Sequence, residues 1–276
     1  MYAMLYYIST QRRDILIKTG VVGACGKMGQ EVVKLVLNSP DLELVLAVDK
    51  FKTGEKIKDN VIIKDDLLNS INEAKPDIVV DFTQPSVIFE NIKIYQKTKT
   101  KAVIGTTGLS SEQIDEIKKM SKENNTGIIL APNFSIGAIL MMQFARQASK
   151  YFSNAEIIEY HHNQKKDAPS GTSIKTAQLM ISENSNFKEG NCAEIETIKG
   201  SRGGNFIENN KGNIQIHSVR MPGFVASQEV IFGSDGQILK IHHDTINREC
   251  YMSGVKLAID HLYKNNNFIY GLENIL

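Results

Sequence analysis

The chain has 276 residues, is 42% hydrophobic and 23% charged, and carries a formal net charge of +1. At roughly 100–200 residues per domain this length predicts one large domain or two, and the near-neutral balance excludes a bulk attraction to nucleic acid or an anionic membrane. No apolar run approaches the ~20 residues of a membrane span, and three scattered cysteines, Cys25, Cys192 and Cys250, argue against a disulfide scaffold or a zinc cluster. Residues 1–8 are apolar, but Arg12 and Arg13 follow them, which reverses the charge order of a secretory signal. Residues 1–14 therefore read as a short extension, and the chain as a cytoplasmic protein of two domains.

The first half alternates strands with helices. Residues 15–22 form a β-rich run that ends at a glycine-rich turn, with Lys18-Thr19-Gly20 interrupting it. Met28, Val32, Leu35 and Val36 share one face of a helix that Ser39-Pro40-Asp41 closes. Residues 42–48 are nearly continuous in apolar side chains, as a parallel strand buried on both faces requires. Short strands follow at 78–82, 102–104 and 127–131, with helices over 86–97 and 111–124. Ser110 and Gln113 fit a capping box at the head of the second of these. This alternation predicts βαβ units and a doubly wound parallel sheet of the α/β class.

The second half changes character. A helix over 136–152 precedes a strand at 155–160, a polar loop and a helix near 172–184. The glycine- and asparagine-rich stretch 200–211 reads as a loop, followed by strands at 214–220, 225–232 and 237–243. Gly233-Ser234-Asp235-Gly236 suits a hairpin between the last two. A final helix over 247–264 is expected to pack back on the first domain. The expected architecture is a Rossmann-type domain, 1–132 with 247–276, and an α+β domain with a mixed sheet, 133–246.

Gly23-Ala24-Cys25-Gly26-Lys27-Met28-Gly29 follows a strand and opens a helix. In that context glycines permit a tight turn and let backbone amides approach a pyrophosphate at the positive end of the helix. Asp49 lies 20 residues beyond Gly29, at the end of the second strand, where a carboxylate accepts bonds from the ribose hydroxyls of NAD. Asp49 would repel a 2′-phosphate and the adjacent Lys50 could attract one, so NADH and NADPH both stay open. The turns Gly105-Thr106-Thr107-Gly108 and Ala131-Pro132-Asn133-Phe134 end two further strands and are placed to touch the same ligand. Asp81, at a third strand end, reads as structural.

Residues 159–172 gather His161, His162, Lys165, Lys166 and the turn Ser170-Gly171-Thr172 within 14 residues. Gly171 and Thr172 open a helix whose dipole favours a carboxylate, while histidine and lysine supply protons and positive charge. This composition suits a small dianionic substrate. A metal site is not expected, because adjacent residues on a strand point to opposite faces and His161 and His162 chelate one ion poorly. His217, His242 and His243 read as sheet residues.

Residues 23–29, Asp81-Phe82-Thr83, residues 105–108 and 131–137, and above all the run H-H-x-x-K-x-D-x-P-S-G-T resemble the 4-hydroxy-tetrahydrodipicolinate reductase family of the diaminopimelate route to lysine. The resemblance runs from about residue 15 to the C-terminus. It implies His161 as general acid/base, Lys165 as proton donor, His162 on a substrate carboxylate, and Ser170, Gly171 and Thr172 on a carboxylate at the helix N-terminus. It further implies that Gly23, Ala24, Cys25, Gly26, Lys27, Met28, Asp49, Gly105, Thr106, Thr107, Ala131, Pro132, Asn133 and Phe134 hold the dinucleotide. Lys50 stands where many members place arginine for the 2′-phosphate. The family fold also implies a homotetramer built through the second domain's sheet. The alternatives are a catalytically idle dinucleotide sensor, which needs neither His161 nor Lys165, and another two-domain oxidoreductase. A semialdehyde dehydrogenase would need a nucleophilic cysteine, and Cys192 and Cys250 lie in no such context.

Overall fold

A computed structural model describes residues 16–58, 60–188, 198, 200, 202–209 and 211–276. The extension 1–14 and Cys192 lie outside the described residues. The chain divides into two compact units, Met1–Phe134 with Tyr251–Leu276, and Ser135–Cys250.

In the first unit the apolar runs become strands β1 (Ile17–Val22), β2 (Leu42–Val48), β3 (Lys56–Lys58), β4 (Val61–Lys64), β5 (Ile78–Asp81), β6 (Lys101–Ile104), β7 (Ile128–Leu130) and, at the C-terminus, β13 (Phe268–Tyr270). Their order is β13-β7-β6-β5-β1-β2-β4-β3, parallel except for the antiparallel edge strand β3. The chain runs outward from β1 through β2 to β4, then crosses to β5 and runs outward on the other side. The order thus reverses between β1 and β5, where sheets of this type bind ligands beyond the strands' carboxyl ends. The central strands bury both faces, as their unbroken apolar sequence demands: Val79, Val80, Ala102 and Val103 expose no surface. The polar Lys18-Thr19-Gly20 does not end β1; it marks a register shift between Thr19 and Gly20 against β2.

Helices α1 (Lys27–Asn38), α2 (Leu67–Ala74), α3 (Pro85–Thr98) and α4 (Ser111–Asn124) cover the sheet together with α7 (Met252–Lys264). α1 buries Gly29, Val32, Val33 and Val36, a stripe rotated slightly from the one its spacing suggests, so that Met28 and Leu35 are only half-buried. The capping box on α4 forms, with the Ser110 hydroxyl accepting from the Gln113 amide and the Gln113 side chain accepting from the Ser110 amide. Replacing Ser110 with alanine is expected to cost about 1 kcal/mol, read as a lower denaturant midpoint at an unchanged slope. α7 returns to this sheet. Lys101 Nζ on β6 donates to the carbonyls of Leu262 at 2.7 Å and Tyr263 at 3.2 Å, satisfying the negative end of that helix.

The second unit holds α5 (Ile136–Ala148), β8 (Asn154–His161), α6 (Gly171–Glu183), β9 (Gly204–Glu208), β10 (Lys211–Arg220), β11 (Ala226–Ser234) and β12 (Gln237–Thr245). Its sheet is mixed, in the order β12-β11-β8-β10-β9, with β8 and β10 parallel. Two expectations are corrected here. α5 stops at Ala148 and not near 152: the backbone tightens to i→i−3 bonds from Lys150 to Gln147 and from Tyr151 to Ala148, and Asn184 ties down the freed carbonyls of Ser149 and Phe152. The stretch read as a loop at 200–211 contains β9, which gains its order from antiparallel pairing with β10. The core under α5 and α6 includes Ile157, Met180, Ile216, Val230 and Phe232. Among the described residues no helix is long and apolar enough to cross a membrane.

Candidate active site

In the first unit every residue expected to hold a dinucleotide follows the carboxyl end of a strand. Gly23 leaves β1 with φ +81, and a Cβ there would lie 2.6 Å from the Phe82 carbonyl oxygen, so the loops after β1 and β5 touch through backbone. A Cβ on Gly29 would overlap the Gly23 carbonyl, which is how α1 packs so close to β1. Gly26 caps α1 without any side-chain hydrogen bond, and Gly26 and Lys27 are exposed. The first amides of the helix are thus left for an anion. Ala24 is buried in this loop, while Cys25 and Met28 are half-buried.

Asp49 fastens the loop. Its carboxylate accepts the Cys25 amide at 2.8 Å through one oxygen and the Phe51 amide at 3.0 Å through the other. Each oxygen keeps a second lone pair, enough for a ribose hydroxyl. Lys50 beside it is exposed. Burial and then the Asp49 carboxylate push the Cys25 thiol up, away from the thiolate that redox or nucleophilic chemistry needs.

Asp81, fully buried at the end of β5, ties the neighbouring loops together. It accepts from Tyr95 Oη at 2.6 Å, from Thr83 Oγ1 at 2.6 Å, from the Thr83 amide at 2.9 Å and from Asn91 at 3.0 Å. Burial pushes its carboxyl up, and these bonds oppose the rise. Thr106 reaches the same carboxylate at 3.5 Å. A Cβ on Gly105 would overlap the Phe82 ring, whose centroid is 5.6 Å from that of buried Phe134. Thr106, Thr107, Ala131 and Pro132 line a shallow cleft completed by Leu109, Ile114, Leu130 and Tyr270. Asn133 is half-buried beside it in sequence. Helix amides without a side-chain cap, a glycine turn whose backbone packs too closely for side chains at Gly23 and Gly29, a carboxylate with free lone pairs at the next strand end and a cleft beyond β6 and β7 fit a dinucleotide.

In the second unit His161 ends β8 and Glu159 precedes it on the same face. Glu159 exposes no surface, and its carboxylate bonds His161 Nδ1 and receives both Arg220 Nη atoms, at 2.7 and 2.9 Å. Burial alone would raise Glu159, but the bonds from His161, Arg220 and Ser218 outweigh it and hold the carboxyl at about 2. An ionised carboxylate only accepts, so Nδ1 carries the proton and Nε2 is left for a substrate. Because the folded value of about 2 lies below the ordinary 4.5, Glu159 contributes stability that is present above pH 4.5 and lost as pH falls towards 2. That contribution is on the order of 3 kcal/mol. Denaturation midpoints measured at about pH 6 and about pH 3 should therefore fall further for this protein than for its Glu159→Gln variant.

Arg220 Nη2 also donates to the Asp167 carbonyl oxygen at 2.7 Å, and the Asp167 carboxylate holds Lys165 Nζ at 2.7 and 2.9 Å. The hydrogen bond from Lys165 lowers the Asp167 carboxyl and outweighs the partial desolvation that would raise it. His162, one residue past β8, is exposed. Ser170 caps α6: its buried hydroxyl accepts from the Ser173 amide at 3.2 Å and bonds Ser173 Oγ at 2.8 Å. Ser173 continues to Gln228 at 2.9 Å, and Gln228 to Thr176 at 2.8 Å. The Ser170 hydroxyl is therefore engaged within the protein. A Cβ on Gly171 would meet nothing within 4 Å, so open space fronts the first turn of the helix. Elsewhere on this sheet His217 pairs with Glu156 at 2.7 Å and His242 with Asp244 at 3.0 Å.

Sequence reasoning assigned no task to Glu159, Arg220 or Tyr270. The period of two along a strand signals that Glu159 and His161 share a face. Nothing local signals Arg220, which meets Glu159 across 61 residues of chain.

Comparisons with known proteins divide the chain at the same place, after Phe134, although the second match also takes in the C-terminal part of the first unit. The family described as "Dihydrodipicolinate reductase, N-terminus" matches residues 17–134, and "Dihydrodipicolinate reductase, C-terminus" matches 137–276. A 4-hydroxy-tetrahydrodipicolinate reductase of Listeria innocua is 46% identical over 267 residues, covering 94% of this chain and 100% of the relative. One from Dictyoglomus turgidum is 45% identical, covering 95% and 98%. Among solved structures, dipicolinate-bound dihydrodipicolinate reductase from Paenisporosarcina sp. TG-14 superposes with a TM-score of 0.86 at 40% identity, covering 95% of this chain and 100% of that one. With both halves matched and relatives this similar along nearly its whole length, the chain belongs to the dihydrodipicolinate reductase family.

Proposed function

We propose that this protein reduces 4-hydroxy-tetrahydrodipicolinate to tetrahydrodipicolinate with NADH or NADPH, in the diaminopimelate route to lysine. The observation that carries the reading is the cluster at the end of β8. A histidine fixed by a buried carboxylate, a lysine held by Asp167 and the open N-terminus of α6 lie within one short segment of a chain from this family.

When bound, the dinucleotide supplies a hydride to the substrate ring. The loops after β1, β2, β6 and β7 orient it: Gly23 to Met28 cradle its pyrophosphate, Asp49 takes the ribose diol, and Lys50 offers charge to a 2′-phosphate. Gly105, Thr106, Thr107, Ala131, Pro132, Asn133 and Phe134 flank the nicotinamide end. His162 and the amides of Gly171 and Thr172 hold the substrate carboxylates, with Ser170 acting through the cap it makes. Lys165 or His161 delivers the proton to the carbon beside the one reduced, as water leaves the substrate. The protein's share is orientation and charge stabilisation. We assign dinucleotide binding to 1–132 with 247–276, substrate binding and homotetramer assembly to 133–246, and a cytoplasmic location.

The test follows NADH and NADPH absorbance while a synthase forms the substrate from pyruvate and aspartate semialdehyde. Synthase-dependent oxidation supports the reading, and the ratio of the two rates reports what Asp49 and Lys50 jointly permit. Tight dinucleotide binding without oxidation would favour an idle sensor.

A further inference from the structure

We propose that Arg220 is a positioning residue that fixes both proton-handling groups at once, His161 through Glu159 and Lys165 through Asp167. The inference rests on the reductase reading of this site and adds to it a residue whose terminal nitrogens are bonded to protein oxygens.

The geometry is that of a fork whose two terminal nitrogens make four hydrogen bonds. Two nitrogens of one planar guanidinium take the two oxygens of Glu159 at 2.7 and 2.9 Å, and the same group reaches the Asp167 carbonyl oxygen at 2.7 Å and the Val219 carbonyl oxygen at 2.8 Å. Glu159 is thereby locked in the orientation from which it bonds His161 Nδ1. The backbone of Asp167 is locked as well, and with it the carboxylate that holds Lys165. Residues 162–168 are otherwise a turn-rich segment between β8 and α6 whose side chains are mostly exposed. Arg220 itself ends β10, whose parallel pairing sets Arg220 against His161 in register. A strand end is a rigid mount for such a clamp. Its Nε is buried and has no hydrogen-bond partner among the described residues, so the clamp acts through the terminal nitrogens.

Lysine retains the charge at this position but not the fork. A compact ammonium cannot span both Glu159 oxygens and the Asp167 carbonyl. Arg220→Lys should therefore lower kcat on the order of 10²-fold, the scale of a catalytic group displaced by about 1 Å. KM for the dinucleotide and for the dicarboxylate should change less than about threefold, since both terminal nitrogens of Arg220 are already engaged by protein oxygens. A merely structural role would lower the melting temperature and the active fraction with kcat per folded site intact. Direct binding of a substrate carboxylate by Arg220 would raise substrate KM first. Either of these results, or an unchanged kcat, overturns the proposal. A second readout needs no turnover: ¹⁵N spectra of the histidine rings should show the protonated Nδ1 of His161 in the wild type and an averaged tautomer in Arg220→Lys. Identical His161 signals in the two proteins also overturn it. Should the wild type oxidise neither dinucleotide, the reductase reading fails, and the ring signals still decide whether Arg220 orders His161.

Discussion

Lys165→Ala and His161→Ala should each lower kcat by on the order of 10²–10⁴-fold, the range for losing an acid–base group. The structure gives each side chain an oriented atom to lose. Lys165 is 20% exposed at its side chain and held at 2.7 Å by Asp167. His161 is 15% exposed at its side chain, with Nδ1 committed to Glu159. Neither lies in the first unit, where the dinucleotide loops are, so the Kd of NADH measured by fluorescence should stay within about twofold. The two losses should not multiply in the double variant if both groups serve one proton transfer. Near-normal turnover in both single variants would remove these residues from the chemistry.

Gly29→Ala should produce the largest loss of dinucleotide affinity. A Cβ at this position would overlap the Gly23 carbonyl and lie 2.9 Å from the Ala24 Cα, both backbone atoms of the loop we propose for the pyrophosphate. Backbone cannot rotate away as a side-chain tip can, so α1 or the loop must move. Overpacking of this kind costs about 1–3 kcal/mol, and a Kd for NADH and NADPH raised roughly 10–100-fold corresponds to about 1.4–2.7 kcal/mol. Gly171→Ala is the contrasting case. Nothing lies within 4 Å of its added Cβ, so the melting temperature should hold while the methyl intrudes where a substrate carboxylate would sit. Calorimetric titration with NADH and thermal melting separate the two. Wild-type affinity in Gly29→Ala would mean the loop does not carry the pyrophosphate.

The alternating first half was legible because buried parallel strands write themselves as apolar runs, and β2 falls at Leu42–Val48 as its sequence reads. The glycine loop, the capping box and Asp49 were legible because each is a local rule of backbone sterics or hydrogen bonding. β4 (Val-Ile-Ile-Lys) and α2, with its Asp66 cap, were missed although their signals are local; the other missed elements are those that neighbours define. β3 is Lys-Ile-Lys, a charged edge strand with no apolar alternation to announce it. β9 and the three-residue β13 exist through pairing with β10 and β7. α2, α3 and α4 end on left-handed Lys75, Lys99 and Asn125, without the glycine that usually marks a helix end. In the second unit the cluster Glu159 to Thr172 comes from one contiguous segment, whereas Arg220 joins it only through the pairing of β10 with β8; in the first unit Tyr270 likewise reaches the cleft only through the fold.

The central claim, hydride transfer to the substrate ring, is tested most directly with NADH deuterated at the transferable C4 position. The synthase-generated dicarboxylate and purified protein would be mixed in ordinary water and the product ring examined by mass spectrometry. The account predicts tetrahydrodipicolinate carrying a single carbon-bound deuterium, with the adjacent carbon protonated from solvent through Lys165 or His161. Product without deuterium, or oxidation of the dinucleotide with no reduced ring, would contradict it.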